Sequence, residues 1–202
     1  MIDTIIFDFG GVLIDWNPKY LYRKIFDNEA DVEYFLNAIC TADWNEEQDG
    51  GRTIKEATKL LTLTYPEHTE NIKAYYNRWE EMLGGVFEGT VEILKQLKGS
   101  GKYKLVGLTN WSAETFPIAK ERYDFLGWFD GILVSGDEKS RKPFPEFYQL
   151  LLSRYNINAG NAVFIDDNKR NVFAAEKEGI QSIHFTGAEE LRNALREKGV
   201  EV

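Results

Sequence analysis

Four places along this chain carry residues suited to handling a phosphoryl group: Asp8, Thr109-Asn110, Lys142 and Asp166-Asp167. A carboxylate such as Asp8 can attack phosphorus and form an acyl-phosphate, which splits one hard displacement into two easier ones. The attacking group must approach a phosphate that is itself anionic. A Mg²⁺ ion held by Asp8 and Asp167 would remove that repulsion. Lys142 and the Thr109 hydroxyl would hold the non-bridging oxygens as charge spreads over them. Backbone N–H groups after Thr109, where a helix is expected to begin near Ser112, add further donors. Each residue also has a plainer reading when taken alone. Asp8 would be a turn or cap, Thr109-Asn110 a helix cap, Lys142 a solvated lysine, and Asp166-Asp167 a helix N-terminus. Their joint occurrence, in this order and each beyond a strand, favours the chemistry.

The elements that must position these residues are short apolar runs rich in β-branched side chains: Thr4–Phe9, Tyr103–Leu108, Ile132–Val134, Ala162–Ile165 and Gln181–Phe185. None alternates, which is the pattern of strands buried on both faces. Between them lie amphipathic stretches of helical length, through Val91, Leu94 and Leu97, through Phe147, Leu150 and Leu151, and through Val172, Phe173 and Ala175. Strand alternating with helix predicts an α/β fold with a parallel sheet and right-handed crossovers. Ligands of such sheets bind beyond the carboxyl ends of the strands, where the topology reverses. From Asp15 to Gly85 the rhythm breaks, with no convincing strand. Helical spacing recurs instead at Tyr20, Leu21 and Ile25, at Val32, Phe35, Leu36 and Ile39, and at Ile54, Ala57, Leu60 and Leu61. The expected organisation is a core of residues 1–14 and 86–202, with residues 15–85 inserted as a helical-bundle cap.

The chain has 202 residues and a net charge of −9, enough length for one domain with a sizeable insertion. An acidic surface repels phosphate backbones and anionic lipid, so neither nucleic acid nor membrane is an expected partner. No apolar run approaches the roughly 20 residues that span a bilayer. Asp3 and Asp8 interrupt the only candidate for a signal peptide. Cys40 stands alone. These features predict a soluble, cytoplasmic protein.

The ordered motifs resemble those of the haloacid dehalogenase superfamily, whose members are mostly phosphatases with a Rossmann-like core. The first motif falls on Asp8-Phe9-Gly10-Gly11-Val12, the second on Thr109, the third on Lys142 before Pro143, and the fourth on Asp166-Asp167. The run from Phe164 to Ile180 looks much like the subfamily I form, which carries a small helical cap. The resemblance implies Asp8 as nucleophile and first metal ligand. Gly10 would bind Mg²⁺ through its backbone carbonyl, and Asp167 directly, with Asp166 nearby or through water. Thr109, the Asn110 backbone and Lys142 would hold the phosphate of a small phosphate ester.

One departure matters. The family's second aspartate, two residues after the nucleophile, protonates the leaving group; here that residue is Gly10. Such help is worth about 10²–10⁴-fold. Sugar 1-phosphate phosphatases of the same subfamily share this glycine, so a sugar phosphate is an expected substrate class. Asp15 is the nearest carboxylate in sequence, but it also begins the cap linker, and no residue is identified as the acid. Dehalogenases of the superfamily also lack that aspartate, but their fourth motif lacks the adjacent acidic pair kept here. A catalytically weak phosphate-binding or regulatory protein is a further alternative. For specificity, the polar stretch Trp44–Arg52 offers Asp49 and Arg52, while Trp16 and Trp111 flank the first two motifs. His68 and His184 are expected to sit far from any motif and read as structural.

Overall fold

The computed structural model describes residues 1–202. Seven strands are formed: β1 (Thr4–Phe7), β2 (Ile14–Trp16), β3 (Leu83–Val86), β4 (Lys104–Thr109), β5 (Gly131–Val134), β6 (Ala162–Asp166) and β7 (Gln181–His184). Five build an all-parallel sheet in the order β5-β4-β1-β6-β7. The chain first winds from β1 through β4 to β5, then crosses to β6 and β7 on the other side. β1 is therefore the strand where the winding reverses, and the crevice beyond its carboxyl end is the place such a sheet offers a ligand.

Side chains of β1 alternate between two apolar layers, as strand geometry requires. Ile6 joins Val106, Leu108, Leu133 and Phe164 on one face. Ile5 and Phe7 join Leu105, Val163 and Ile165 on the other. The helices that cover the sheet are α6 (Glu88–Ser100), α7 (Phe116–Arg122), α8 (Ser135–Glu138), α9 (Pro145–Arg154), α10 (Lys169–Lys177) and α11 (Ala188–Glu197); five helices precede them in the chain. Phe147, Tyr148 and Leu151 of α9 and Ala175 of α10 close the first layer. Ile93, Leu94 and Leu97 of α6, with Leu191 and Leu195 of α11, close the second.

The five preceding helices are α1 (Lys19–Tyr22), α2 (Glu29–Tyr34), α3 (Ala42–Asp49), α4 (Ile54–Thr64) and α5 (Thr69–Asn77). Asn28, Thr41 and Thr53 cap the N-termini of α2, α3 and α4 through their side-chain oxygens. The Tyr22 ring packs at a tilt against those of Phe35 and Tyr75 inside this helical insertion. Its two ends are not plain loops. β2 and β3 pair antiparallel there, Ile14 opposite Val86 and Asp15 opposite Gly85, which corrects the expectation of no strand between Asp15 and Gly85. Strands of three and four residues are too short to show a period, and Gly84-Gly85 read as punctuation. No helix is long and apolar enough to cross a membrane.

Candidate functional site

The register of the sheet brings three of the motif residues to one edge. Phe7 is level with Gly107 on one side and with Ile165 on the other. Asp8 therefore leaves β1 beside Asp166 and one residue short of Thr109. The Asp8 amide continues the ladder, donating to the Ile165 carbonyl at 2.9 Å.

Lys142 ties this edge together. Its ammonium lies 2.8 Å from Asp8 Oδ2 and 2.7 Å from Asp166 Oδ2. The Lys142 and Asp166 side chains are wholly buried and that of Asp8 is 11% exposed. A lysine reaching in from a loop needs a rigid base, and Asn110 supplies it. Lys142 N donates to Asn110 Oδ1 and Asn110 Nδ2 donates to the Lys142 carbonyl, each at 2.9 Å. The Lys142-Pro143 peptide is cis. Asp166 is held equally firmly: its Oδ1 accepts from the Asn168 amide at 2.8 Å, and Asn171 Nδ2 reaches both its oxygens at 3.1 Å. Thr109 Oγ1 is buried at the same edge with no hydrogen-bond partner. A buried hydroxyl without a partner is costly to maintain, and this one is free to donate to an anion.

Asp167 is more exposed, and one glycine sets its place. Gly11 has φ +75°, and a Cβ there would stand 2.3 Å from Asp167 Oδ2. Only glycine tolerates both the conformation and the approach. Carboxylate oxygens of Asp8, Asp166 and Asp167 all lie within 4.8 Å of one another. Burial foremost, then the neighbouring Asp166 and Asp167, pushes the Asp8 carboxyl well above its ordinary range, against the pull of Lys142. Burial and Asp166 likewise raise Asp167. Burial pulls the Lys142 ammonium down, yet Asp166 and Asp8 outweigh it and the net shift is upward. With all three carboxyls ionised around this one ammonium, the charge left over would match one divalent cation. The donors are all oxygen, the set that suits a hard ion such as Mg²⁺ rather than zinc or copper.

A cavity of about 80 Å³ opens above this edge. Gly10, Asn110, Trp111 and Ser112 form its floor, and Trp16, Asn45, Asp49, Tyr76 and Trp79 face them. Of the specificity candidates, Trp16, Trp111 and Asp49 line it. Arg52 does not: its guanidinium is engaged with Gln48 Oε1 at 2.8 Å and the Trp44 carbonyl at 3.0 Å. Tyr76 and Trp79 were missed by sequence reasoning, because aromatic residues at helical spacing read as core. Two further corrections follow. The helix after Thr109 begins at Phe116 rather than near Ser112, with Pro117 in its first turn; residues 112–115 form a turn, Ser112 O accepting from Thr115 N and Phe116 N. His184 is not remote from the motifs, since its Nε2 lies 2.9 Å from the Asp167 carbonyl oxygen.

A family model described as haloacid dehalogenase-like hydrolase matches residues 2–179. A sesquiterpene phosphatase of Aspergillus oryzae is 30% identical over 181 residues, covering 90% of this chain and 88% of its own. A phosphorylated carbohydrates phosphatase of Thermotoga maritima is 28% identical over 200 residues, covering 91% and 84%. A haloacid dehalogenase family enzyme from Bacteroides thetaiotaomicron, solved with magnesium and inorganic phosphate, superimposes with a TM-score of 0.67 at 20% identity, covering 93% of this chain and 96% of that one.

Proposed function

The chain belongs to the haloacid dehalogenase-like hydrolase family, and we propose that it hydrolyses a small phosphomonoester with Mg²⁺ through an aspartyl-phosphate on Asp8. The observation that carries this reading is the buried contact of Lys142 with both Asp8 and Asp166 inside an all-oxygen acidic cluster. Asp8, the Gly10 carbonyl and Asp167 would hold the ion. Asp166, whose oxygens already serve Lys142, Asn168 and Asn171, acts mainly by fixing that lysine. When bound, Mg²⁺ shields the phosphate from the carboxylates and draws charge from its non-bridging oxygens.

Asp8 attacks phosphorus, the ester oxygen departs, and water later releases phosphate and restores the carboxylate. Lys142 and the unpartnered Thr109 hydroxyl hold the non-bridging oxygens, and their positions are set before substrate arrives. Residues 15–85 act as a cap that covers the cavity and excludes water. The leaving group lies among Trp16, Tyr76, Trp79 and Trp111, with Asn45 and Asp49 between them. Flat aromatic walls with interspersed amide and carboxyl groups suit the faces and hydroxyls of a sugar phosphate. The phosphorylated carbohydrates phosphatase among the relatives supports the same class.

The test is phosphate release from a panel of phosphomonoesters with and without Mg²⁺, run beside halide release from 2-haloacids. Mg²⁺-dependent phosphate release that disappears in the isosteric Asp8→Asn variant is expected. Near-normal activity of Asp8→Asn, or metal-independent halide release, would sink the reading.

A further inference from the structure

Resting on that hydrolase reading, we propose that Asp49, at the end of α3 in the helical insertion, is the general acid that protonates the leaving group and the base that then activates water. When Asp8 displaces an alkoxide, the departing oxygen keeps the electron pair of the broken P–O bond and needs a proton. Two residues beyond Asp8 the chain offers only Gly10, and a Cβ added there would meet no atom within 4 Å. The space beside the reacting centre is therefore open, and the proton must come from across the cavity. Among the residues that line it, two can titrate, Asp49 and Tyr76. The Tyr76 phenol donates to Asn45 Oδ1 and accepts from Gln48 Nε2, both at 3.0 Å, and burial drives its pKa further up from an already high value. That leaves Asp49. Asp15, the nearest acid in sequence, accepts from the Tyr20 hydroxyl at 2.7 Å and packs against Gly84, outside the cavity.

The surroundings of Asp49 suit the part. Asn45 Nδ2 donates to its Oδ2 at 3.2 Å, one turn back on the same helix. Burial foremost, then Glu46 of its own helix, pushes the carboxyl up to about 7, against Arg141, the Ser112 amide and Lys142 on the core side. A group poised near neutrality can give a proton in one step and take it back in the next. In the first step the P–O bond to the leaving group breaks, and Asp49 donates its proton to that oxygen and becomes a carboxylate. In the second, water attacks the aspartyl-phosphate and passes a proton to Asp49. The P–Oδ bond breaks, and its electron pair returns to Asp8.

A general acid matters most when the leaving group is poor, and this gives a readout that a structural role would not move. Wild type and Asp49→Asn are compared on an alkyl phosphomonoester and on 4-nitrophenyl phosphate, whose anion leaves without help. The expected result is a fall of about 10²–10⁴-fold in kcat/KM, which reports the first step alone, on the alkyl ester and less than about tenfold on the aryl ester. Equal losses on both esters, or no loss on either, would overturn the assignment. The wild type alone provides a second check that needs no variant. With an acid in place, kcat/KM across a series of alkyl and aryl esters changes little with leaving-group pKa, and a steep dependence would also overturn it. Silence of the wild type on every ester removes the hydrolase reading itself and the assignment with it. Turnover by both proteins with unchanged ester preference removes Asp49 alone.

Discussion

Lys142→Met keeps the volume of the side chain and removes the ammonium that stands 2.8 Å from Asp8 Oδ2 and 2.7 Å from Asp166 Oδ2. Because the lysine and Asp166 are wholly buried, water does not simply take its place. Removing one member of a buried ion pair costs about 3–5 kcal/mol. The variant has one escape, which is to protonate a carboxyl. Keeping a carboxyl of ordinary pKa near 4 protonated costs about 1.4 kcal/mol per pH unit, hence about 4 kcal/mol near pH 7 and about 1.5 kcal/mol near pH 5. The sign follows from linkage. A carboxyl whose folded pKa is raised above its unfolded value carries no penalty below the unfolded pKa, and the penalty grows as pH rises towards the folded pKa. Burial already raises Asp8 in the wild type, so the difference between the two proteins, not either stability alone, is diagnostic. That difference should widen from about 1.5 kcal/mol near pH 5 to about 3–4 kcal/mol near pH 7. Urea unfolding followed by circular dichroism in EDTA measures it at both pH values. A gap under about 1 kcal/mol near pH 7, or one that ignores pH, would refute the reasoning.

Three further outcomes are expected. Gly11→Ala places a methyl group against Asp167, which must move; Mg²⁺ affinity by calorimetry should fall about 10–100-fold, and an unchanged affinity would deny Asp167 a ligand role. Thr109→Val removes a buried hydroxyl that has no partner, so stability should hold or rise by up to about 1 kcal/mol while affinity for inorganic phosphate drops about 10–100-fold; a large loss of stability would show that the hydroxyl is already bonded within the fold. Glu46 faces Arg170 at 2.6 Å and Arg141 at 3.7 Å, joining α3 to the core. Pairs this accessible are worth about 0.2–1 kcal/mol and are screened by salt. Substrate KM of the wild type should therefore rise a few-fold between about 0.05 M and about 0.5 M salt, and Glu46→Gln should flatten that rise.

The core half of the site was legible because its residues follow strands, and strands buried on both faces announce themselves. Thr4–Phe7, Lys104–Thr109 and Ala162–Asp166 each fall within about one or two residues of the apolar run that foretold them. Once three parallel strands are known, their carboxyl ends must share an edge, and whatever follows each strand must meet there. Lys142 is the exception, since it follows no strand directly. Its arrival depends on the Asn110 side chain grasping its main chain from 32 residues away, a pairing that no local pattern encodes.

The insertion's wall of the cavity is a problem of the same kind throughout. Tyr75 and Tyr76 are neighbours on α5, yet Tyr75 is fully buried against Tyr22 and Trp44 while Tyr76 lines the cavity. Nothing in their type or immediate spacing separates them. What separates them is how α5 packs, and three long-range contacts hold it in place. The β2–β3 ribbon pins both ends of the insertion, Tyr76 donates to Asn45 on α3, and the Trp79 ring meets Trp111 edge-on at 5.6 Å. Each joins residues 31 or more positions apart. Asp49 depends on the same contacts. In sequence it reads as a polar contact of the Trp44–Arg52 stretch, and it becomes a candidate acid only because the fold sets it in the same cavity as Gly10. A substitution that swings the insertion, such as Trp79→Ala, should therefore mimic Asp49→Asn on poor leaving groups while leaving the Lys142 cluster intact.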